Sequence, residues 1–304
     1  MPVLDKLSKL QLISRPKHEK ELALARSRNA FKRLSLAKKG QVATITLLPH
    51  GKVADPETVV TPREMASALE QLREDHSIRV IVLTGSGNTF MVPPPRDFYK
   101  KKAGSGEFET LNRMWEETTG AARYLMAMAE IEKPIVAKVN GDAIGLGSSF
   151  VFGSDFIIAR EDAKFMDHHM GGTFIADYMG QAKEGGHDFS IVPGDGGAAL
   201  VPMHLSPCKA KEYLMLAQPV TAAELARLGV INYAVPAVEL DAKVDEIVGR
   251  LLQRGAYALA WTKRVINRRL MQHLVLTMDA AAAYERINFL HLDRQKGVEK
   301  KTLG

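Results

Sequence analysis

From residue 41 the hydrophobic pattern of the chain alternates between two periods. Val42-Ala43-Thr44-Ile45-Thr46-Leu47-Leu48 reads as a strand ended by Pro49-His50-Gly51. Thr61 is a candidate cap for a helix from Pro62 to about Asp75, since proline suits the first helical position and Glu64 follows the cap by three residues. A strand is predicted at residues 80–84, a helix at 111–131, and a nearly continuous apolar strand at 134–139 of the kind buried on both faces. After Asn140-Gly141 and the turn Gly145-Leu146-Gly147, a helix near residues 149–152 leads to the strand Phe156-Ile157-Ile158-Ala159. Strand, helix, strand repeats, which predicts α/β architecture with parallel crossovers.

Residues 1–40 predict one or two helices broken near Arg15-Pro16, with Leu7, Leu10, Leu12, Leu22, Leu24, Phe31 and Leu34 forming an apolar face. Residues 166–190 hold five glycines, three histidines and four acidic residues without periodicity. So long a loop inside a compact domain is usually functional. Regular pattern returns with Ile191-Val192-Pro193-Gly194-Asp195-Gly196-Gly197, a turn feeding a helix, and continues through 209–216 and 222–228, where Gly229 stops a helix. Residues 240–291 are mainly helical, with an alanine-rich stretch at 279–284. Three regions are expected: a basic helical extension at 1–40, a core at 41–239, and a helical C-terminal region at 240–304.

Composition narrows the class. Hydrophobic residues make up 46% and charged residues 25% of the 304, values of a folded globular chain. The lone Cys208 excludes an internal disulfide or a thiolate metal cluster, and fits a reducing, cytoplasmic setting. No apolar run approaches the roughly 20 residues that span a bilayer, and the first residues lack a secretory pattern, so no membrane association is expected. The +6 net charge is concentrated in residues 1–40, where eleven lysines and arginines face Asp5, Glu19 and Glu21. The remainder is close to neutral and has no nucleic-acid-binding motif, so the arm is read as a solvated or subunit-covering helix.

Three blocks in order resemble the enoyl-CoA hydratase/isomerase (crotonase) superfamily: Ile78-Arg79-Val80-Ile81-Val82-Leu83-Thr84-Gly85 followed by Phe90; Lys133 through Gly147 with Asp155 eight residues on; and Val192 through Gly197, then Ala210 through Leu214, Ala222, Gly229 through Asn232, and Val235-Pro236. The resemblance implies a ββα spiral core, a helical C-terminal region used for trimerisation, and acyl-CoA thioesters as substrates. Coenzyme A then enters as part of the substrate, with no bound cofactor. The expected assembly is a homotrimer or a dimer of trimers.

The second block also has a physical reading. A buried strand that turns through Gly145-Leu146-Gly147 into a helix exposes backbone amides at a helix start, where negative charge is stabilised. The glycines could equally serve only a tight turn. The resemblance makes the Leu146 amide one half of an oxyanion hole, with Gly145 and Gly147 lining the substrate. The second donor lies in Met91-Val92-Pro93-Pro94-Pro95-Arg96-Asp97-Phe98. If Asp97 matches the family's aspartate, also substrate-lining, the donor is Arg96; a gapless alignment puts Pro94 there, which has no N–H to give.

The acid–base pair departs from the family. Hydratases of this type use two glutamates, one to activate water and one to deliver the α-proton. Here the matched positions are Ser149 and His169. Serine cannot replace a glutamate as base, whereas histidine titrates near neutrality and can. The run Phe165-Met166-Asp167-His168-His169 is similar to a branch of the superfamily that has Asp-Thr-His here and Gly-Asp-Gly-Gly downstream, matched by Asp195. Asp167 either orients His169 or is a plain loop carboxylate; Asp195 either serves the reaction or caps the helix after it. His168 is expected nearer the surface, at the edge of the substrate site. Gly194 and Tyr178 complete the substrate-binding candidates, Tyr178 as part of a lid. His187-Asp188 together with His168-His169 hints at a metal, but no ligand spacing supports one and none is expected.

The expected function is an enoyl-CoA hydratase or isomerase acting through a stabilised enolate. Two rivals stand beside it: a retro-Claisen hydrolase of the same superfamily, and a catalytically silent assembly subunit.

Overall fold

The computed structural model describes residues 31–48, 60–93, 111–171 and 190–302. The chain divides into residues 1–32 and 33–304, and every element below belongs to the second unit. The helical arm at 1–30, Arg96 and Asp97, and the lid with Tyr178 lie outside the described residues.

The core begins earlier than the sequence pattern suggests. Residues 34–39 are not the end of a helix: Leu34–Lys39 is strand β1, paired antiparallel with β2, Val42–Leu47, through a turn at Gly40 whose φ of 57° suits glycine. In β2 the inward residues Ala43, Ile45 and Leu47 are buried and their neighbours half-buried, as a strand with one covered face should be. Helix α1, Val60–Glu74, already includes Thr61, whose buried position inside the helix corrects its expected role as a cap.

Strands β3 (Val80–Gly85), β4 (Ile135–Val139), β6 (Phe156–Arg160) and β9 (Tyr233–Val235) continue the sheet in parallel, in the order β1-β2-β3-β4-β6-β9. All six residues of β3 are buried, which accounts for its unbroken apolar sequence. A second sheet of three short strands orders β5 (Ala143–Ile144), β7 (Lys164–Met166) and β8 (Val220–Thr221). The helices are α2 (Leu111–Glu130), α3 (Leu146–Phe152), α4 (Gly197–His204), α5 (Pro207–Leu216), α6 (Ala222–Arg227), α7 (Leu240–Leu252) and α8 (Ala256–Thr302). The main sheet packs against α7, where Leu240, Val244, Ile247, Val248 and Leu251 share one face and meet Val80, Val82, Val136 and Ile158. Each such side chain contributes about 1.5–3 kcal/mol on full burial. No helix among the described residues is long and apolar enough to cross a membrane.

Two polar anchors fix the sheet to its surroundings. Asn140, at the end of β4, accepts the Gly85 N–H at 3.0 Å and donates to the carbonyls of Gly85 (3.0 Å), Gly87 (2.7 Å) and Thr89 (3.3 Å). The loop after β3 is thereby held against the turn after β4. Asp155 accepts from the Ile135 N–H at 2.7 Å and from Lys263 Nζ of α8 at 2.6 Å, tying the long helix to the sheet. Burial pushes Asp155 up and Lys263 down, each opposed by its partner's charge. Lys263→Met is expected to cost about 3–5 kcal/mol in urea denaturation, because it leaves Asp155 buried and uncompensated. A loss no larger than that of an exposed ion pair, about 0–1 kcal/mol, would overturn this account.

Candidate active site

The site is assembled where the two sheets meet. Below Asn140, the chain reverses at Gly141, where a Cβ would lie 1.8 Å from the Asn88 carbonyl oxygen, so only glycine admits the crossing. Met91 is then fixed beside β5: its N–H donates to the Asp142 carbonyl at 3.1 Å, and its carbonyl accepts from Ile144 at 2.8 Å. Its amide is therefore committed to this pairing. Gly145 has φ 61° and donates to the Met166 carbonyl at 2.8 Å, which closes β5 onto β7 and sets the start of α3 beside residues 167–169. Leu146 follows as the first residue of α3, where its N–H has no acceptor within the helix.

The glycines around this turn mark close approaches. A Cβ on Gly145 would lie 2.3 Å from the His168 ring, and one on Gly147 would lie 2.4 Å from the Met91 carbonyl oxygen. Gly194 meets Glu285 of α8 in the same way, at 2.4 Å from Oε2. These three glycines, matched to substrate-lining positions, therefore permit packing between the segments that form the site. His168, expected near the surface, is buried beneath Gly145, with its ring 4.7 Å from that of His169.

His169 is the centre of the cluster, with only 5% of its side chain exposed. Its Nδ1 hydrogen-bonds Asp167 Oδ1 at 2.7 Å, and the same oxygen accepts the His169 backbone N–H at 3.0 Å. Asp167 thus orients the ring. The other ring nitrogen, Nε2, faces Asp195 Oδ2 and Glu285 Oε1, each at 3.7 Å. Both distances exceed a hydrogen bond, so Nε2 is held in a field of carboxylates without being tied to either.

Gly196, with φ 129°, precedes α4, and the Asp195 carboxylate accepts from the N–H of Gly197, the first residue of that helix, so its expected capping role stands beside its place near His169. Its Oδ1 is buried, and Tyr124 of α2 donates to its backbone carbonyl at 2.5 Å. Ser149 of α3 lies buried against this loop, its Oγ 3.1 Å from where a Cβ on Gly196 would stand and beside Asp195 and Tyr124. Its neighbour Ser148 shares a 2.8 Å hydrogen bond with Tyr213.

Electrostatics decide which group carries the proton. Burial works against a charged imidazole, but Asp167, then Asp195 and Glu285, outweigh it, and His169 is pushed up to about 10. Asp167 is opposed by burial too, yet the adjoining His169 lowers it. Asp195 is raised, by burial first and Asp167 after, against the pull of His169. The direction of these shifts favours the charged ring, whereas the sequence alone suggests an imidazole that titrates near neutrality. Asp167, His169 and Asp195 present ligand atoms within 4.8 Å of one another, a grouping that could suit a metal ion. Asp167 Oδ1 already engages Nδ1, which leaves Nε2 as the ring nitrogen that faces Asp195 and Glu285.

Sequence reasoning did not single out Glu285 or Tyr124. Glu285 sits in a helix of unremarkable periodicity, and Tyr124 on the helix expected at 111–131, where nothing beside it in sequence marks it for a site. The one available signal was the alanine-rich stretch before Glu285, whose small side chains let α8 approach the Gly194 turn: Ala281 and Ala282 are buried, and the Ala281 carbonyl oxygen would lie 2.8 Å from a Cβ on Gly194.

Comparison with known proteins accords with this construction. The enoyl-CoA hydratase/isomerase family model matches residues 39–301. A crotonyl-CoA hydratase from Syntrophomonas wolfei is 26% identical over 269 residues, covering 88% of this chain and 94% of its own. A carnitinyl-CoA dehydratase from Salmonella enteritidis is 29% identical over 233 residues, 76% of this chain and 79% of its own. Among solved structures, an enoyl-CoA hydratase/isomerase from Mycobacterium paratuberculosis superposes with a TM-score of 0.71 at 24% identity, covering 88% of this chain and 98% of that one. A β-diketone hydrolase from Anabaena does so at 0.70 and 23% identity, covering 86% and 96%. These superpositions establish the crotonase fold, a ββα core with a helical C-terminal region. With the profile match spanning both sheets and the C-terminal helices, the chain belongs to the enoyl-CoA hydratase/isomerase family.

Proposed function

We propose that the chain hydrates or isomerises an enoyl-CoA thioester through an enolate, with His169 as the proton donor and Asp195 as the base. The observation that carries this reading is the buried Asp167–His169–Asp195 cluster beside the start of α3. In the hydration direction, Asp195 takes a proton from water as the water oxygen bonds to the β-carbon. The electron pair of the double bond moves to the thioester oxygen, which the Leu146 N–H receives together with a second donor, assigned to Arg96. Nε2–H of His169 then protonates the α-carbon. Asp195 leaves the cycle protonated and His169 neutral, and a proton returned through one water, which the 3.7 Å separation requires, restores both. Isomerisation uses the same two groups, with the proton removed from one carbon and returned to another.

The test is saturation kinetics on crotonyl-CoA beside a panel of cyclic β-diketones and β-keto thioesters. Turnover of crotonyl-CoA supports the proposal. Cleavage of a diketone without crotonyl-CoA turnover would replace it with the retro-Claisen reading, for which the oriented His169 would activate water, and inertness toward both would favour the silent subunit.

A homotrimer or a dimer of trimers is proposed as the assembly. Tyr257, Trp261 and Val265 recur at helical spacing on α8, each more than half exposed, an apolar face that a neighbouring copy would cover. Sedimentation at micromolar concentration is expected to give trimers or hexamers, and a monomer would reject this.

His169→Ala is expected to lower turnover at least tenfold, within the range of about 10²–10⁴ for general acid–base groups. Ser149→Ala should lose less, since its hydroxyl carries no charge and only positions water; an equal loss would make Ser149 a partner in the chemistry. Stability offers a check that needs no substrate. The folded-state value of His169 lies above its unfolded value of about 6.5, so the charged ring's stabilisation is complete below that pH and is lost as pH rises toward about 10. The stability gap between wild type and His169→Gln should therefore shrink across that window; a gap constant from pH 6 to pH 10 would mean the ring is uncharged throughout.

A further inference from the structure

The C-terminal helix reaches into the site at one point. Glu285 of α8 places Oε1 at 3.7 Å from His169 Nε2, the same separation as Asp195 Oδ2. Its arrival there is built into the packing. Gly194 leaves the space Glu285 fills: a Cβ on that glycine would lie 2.4 Å from Oε2 and 2.7 Å from the Glu285 Cβ. One helical turn later, Asn288 accepts the Val192 N–H at 3.0 Å, so α8 grips the strand of loop that carries Asp195 from both sides of Gly194.

We propose that Glu285 is a positioning residue of the acid–base unit, a second carboxylate on the Nε2 side that keeps His169 in its proton-donating form and aims the Nε2 proton between itself and Asp195. This rests on the reading above that His169 delivers the α-proton, and it adds the C-terminal helix to that reading. The two glutamates that the family carries on its core elements are replaced here at Ser149 and His169, and carboxylates return to the site from Asp195 on the loop before α4 and Glu285 on α8. Nε2 lies beyond hydrogen-bond reach of both, so its proton stays available to a substrate carbon while their charge holds it on the ring.

Among the described residues, three carboxylates approach the imidazole: Asp167 from its own segment, Asp195 from the loop before α4 and Glu285 from α8. The His168 ring lies 4.7 Å from that of His169.

The experiment follows the His169 ring resonances by NMR against pH in the full chain, with His169→Gln identifying the signals. Glu285→Gln should lower the His169 titration by about one unit or more, as expected on removing an opposite charge within about 4–6 Å. The alkaline limb of the kcat/KM profile on crotonyl-CoA should move to lower pH with it. An unchanged titration in a folded Glu285→Gln variant would overturn the proposal. Should that variant fail to fold, Glu285→Asp, which withdraws the charge by one methylene, decides by the same reading: a downward shift supports the role and none overturns it. Because the titration requires no substrate, absence of acyl-CoA turnover would refute the proposed function and leave this measurement to stand alone.

Discussion

A charged imidazole can be buried only if the surrounding structure compensates it, and that requirement organises the centre of this protein. Asp167 is two residues away and reaches Nδ1 through a turn that also binds the His169 backbone, so one carboxylate sets both the ring and its chain. Asp195 and Glu285 come from distant segments and meet the ring only once β5 has paired with β7 and α8 has closed on the Gly194 turn. The charge balance of the site is thus a product of tertiary packing. The strict glycine positions follow from it, since Gly145, Gly194 and Gly197 all lie where a side chain would enter the space of His168, Glu285 or Asp167.

The same logic links the scaffold to the site. Asn140 fastens the loop after β3 to the end of β4, which places Met91 beside Ala143 and the start of α3 beside the histidines. Asp155 and Lys263 hold α8 against β4 from the other side of the fold. A buried ion pair in that place adds little stability compared with an apolar pair of the same shape, but it fixes how α8 lies along the sheet. The position of Glu285 depends on that placement, because a helix shifted by one residue would turn a different side chain toward Gly194.

The sequence made much of the fold legible, and for physical reasons. Buried parallel strands such as 80–85 and 135–139 are predominantly apolar, interrupted only by Thr84 and the half-buried Lys138, and chain reversals such as Asn140-Gly141 and Gly145-Leu146-Gly147 are rich in glycine. Residues 34–39 were harder: Leu34-Ser35-Leu36 alternates as a strand should, but two apolar positions beside a basic, helix-like arm are too few to set a period. Thr61 shows the same limit, since capping residues also occur inside helices. In the site, Asp167, His169 and Asp195 could be found because each sits in a local motif with a fixed register. Glu285 could not, since a single carboxylate on a long helix has no neighbour in sequence that marks what it faces. Nor does sequence spacing indicate the charge state of His169, which depends on burial and on three carboxylates converging in space.

Ser149 and Tyr124 both crowd the turn before α4: a Cβ on Gly196 would lie 3.1 Å from Ser149 Oγ and 2.8 Å from the Tyr124 hydroxyl. The loop at 195–196 is thereby packed against α3 and α2, and it carries Asp195 to the Nε2 side of His169. Two carboxylic groups that share a site can exchange acid and base roles, whereas an imidazole beside carboxylates is biased toward holding the proton. On the reading proposed above, His169 with Asp195 and Glu285 each 3.7 Å from Nε2 therefore enters the reaction as the acid, and the carboxylate on the loop before α4 serves as the base.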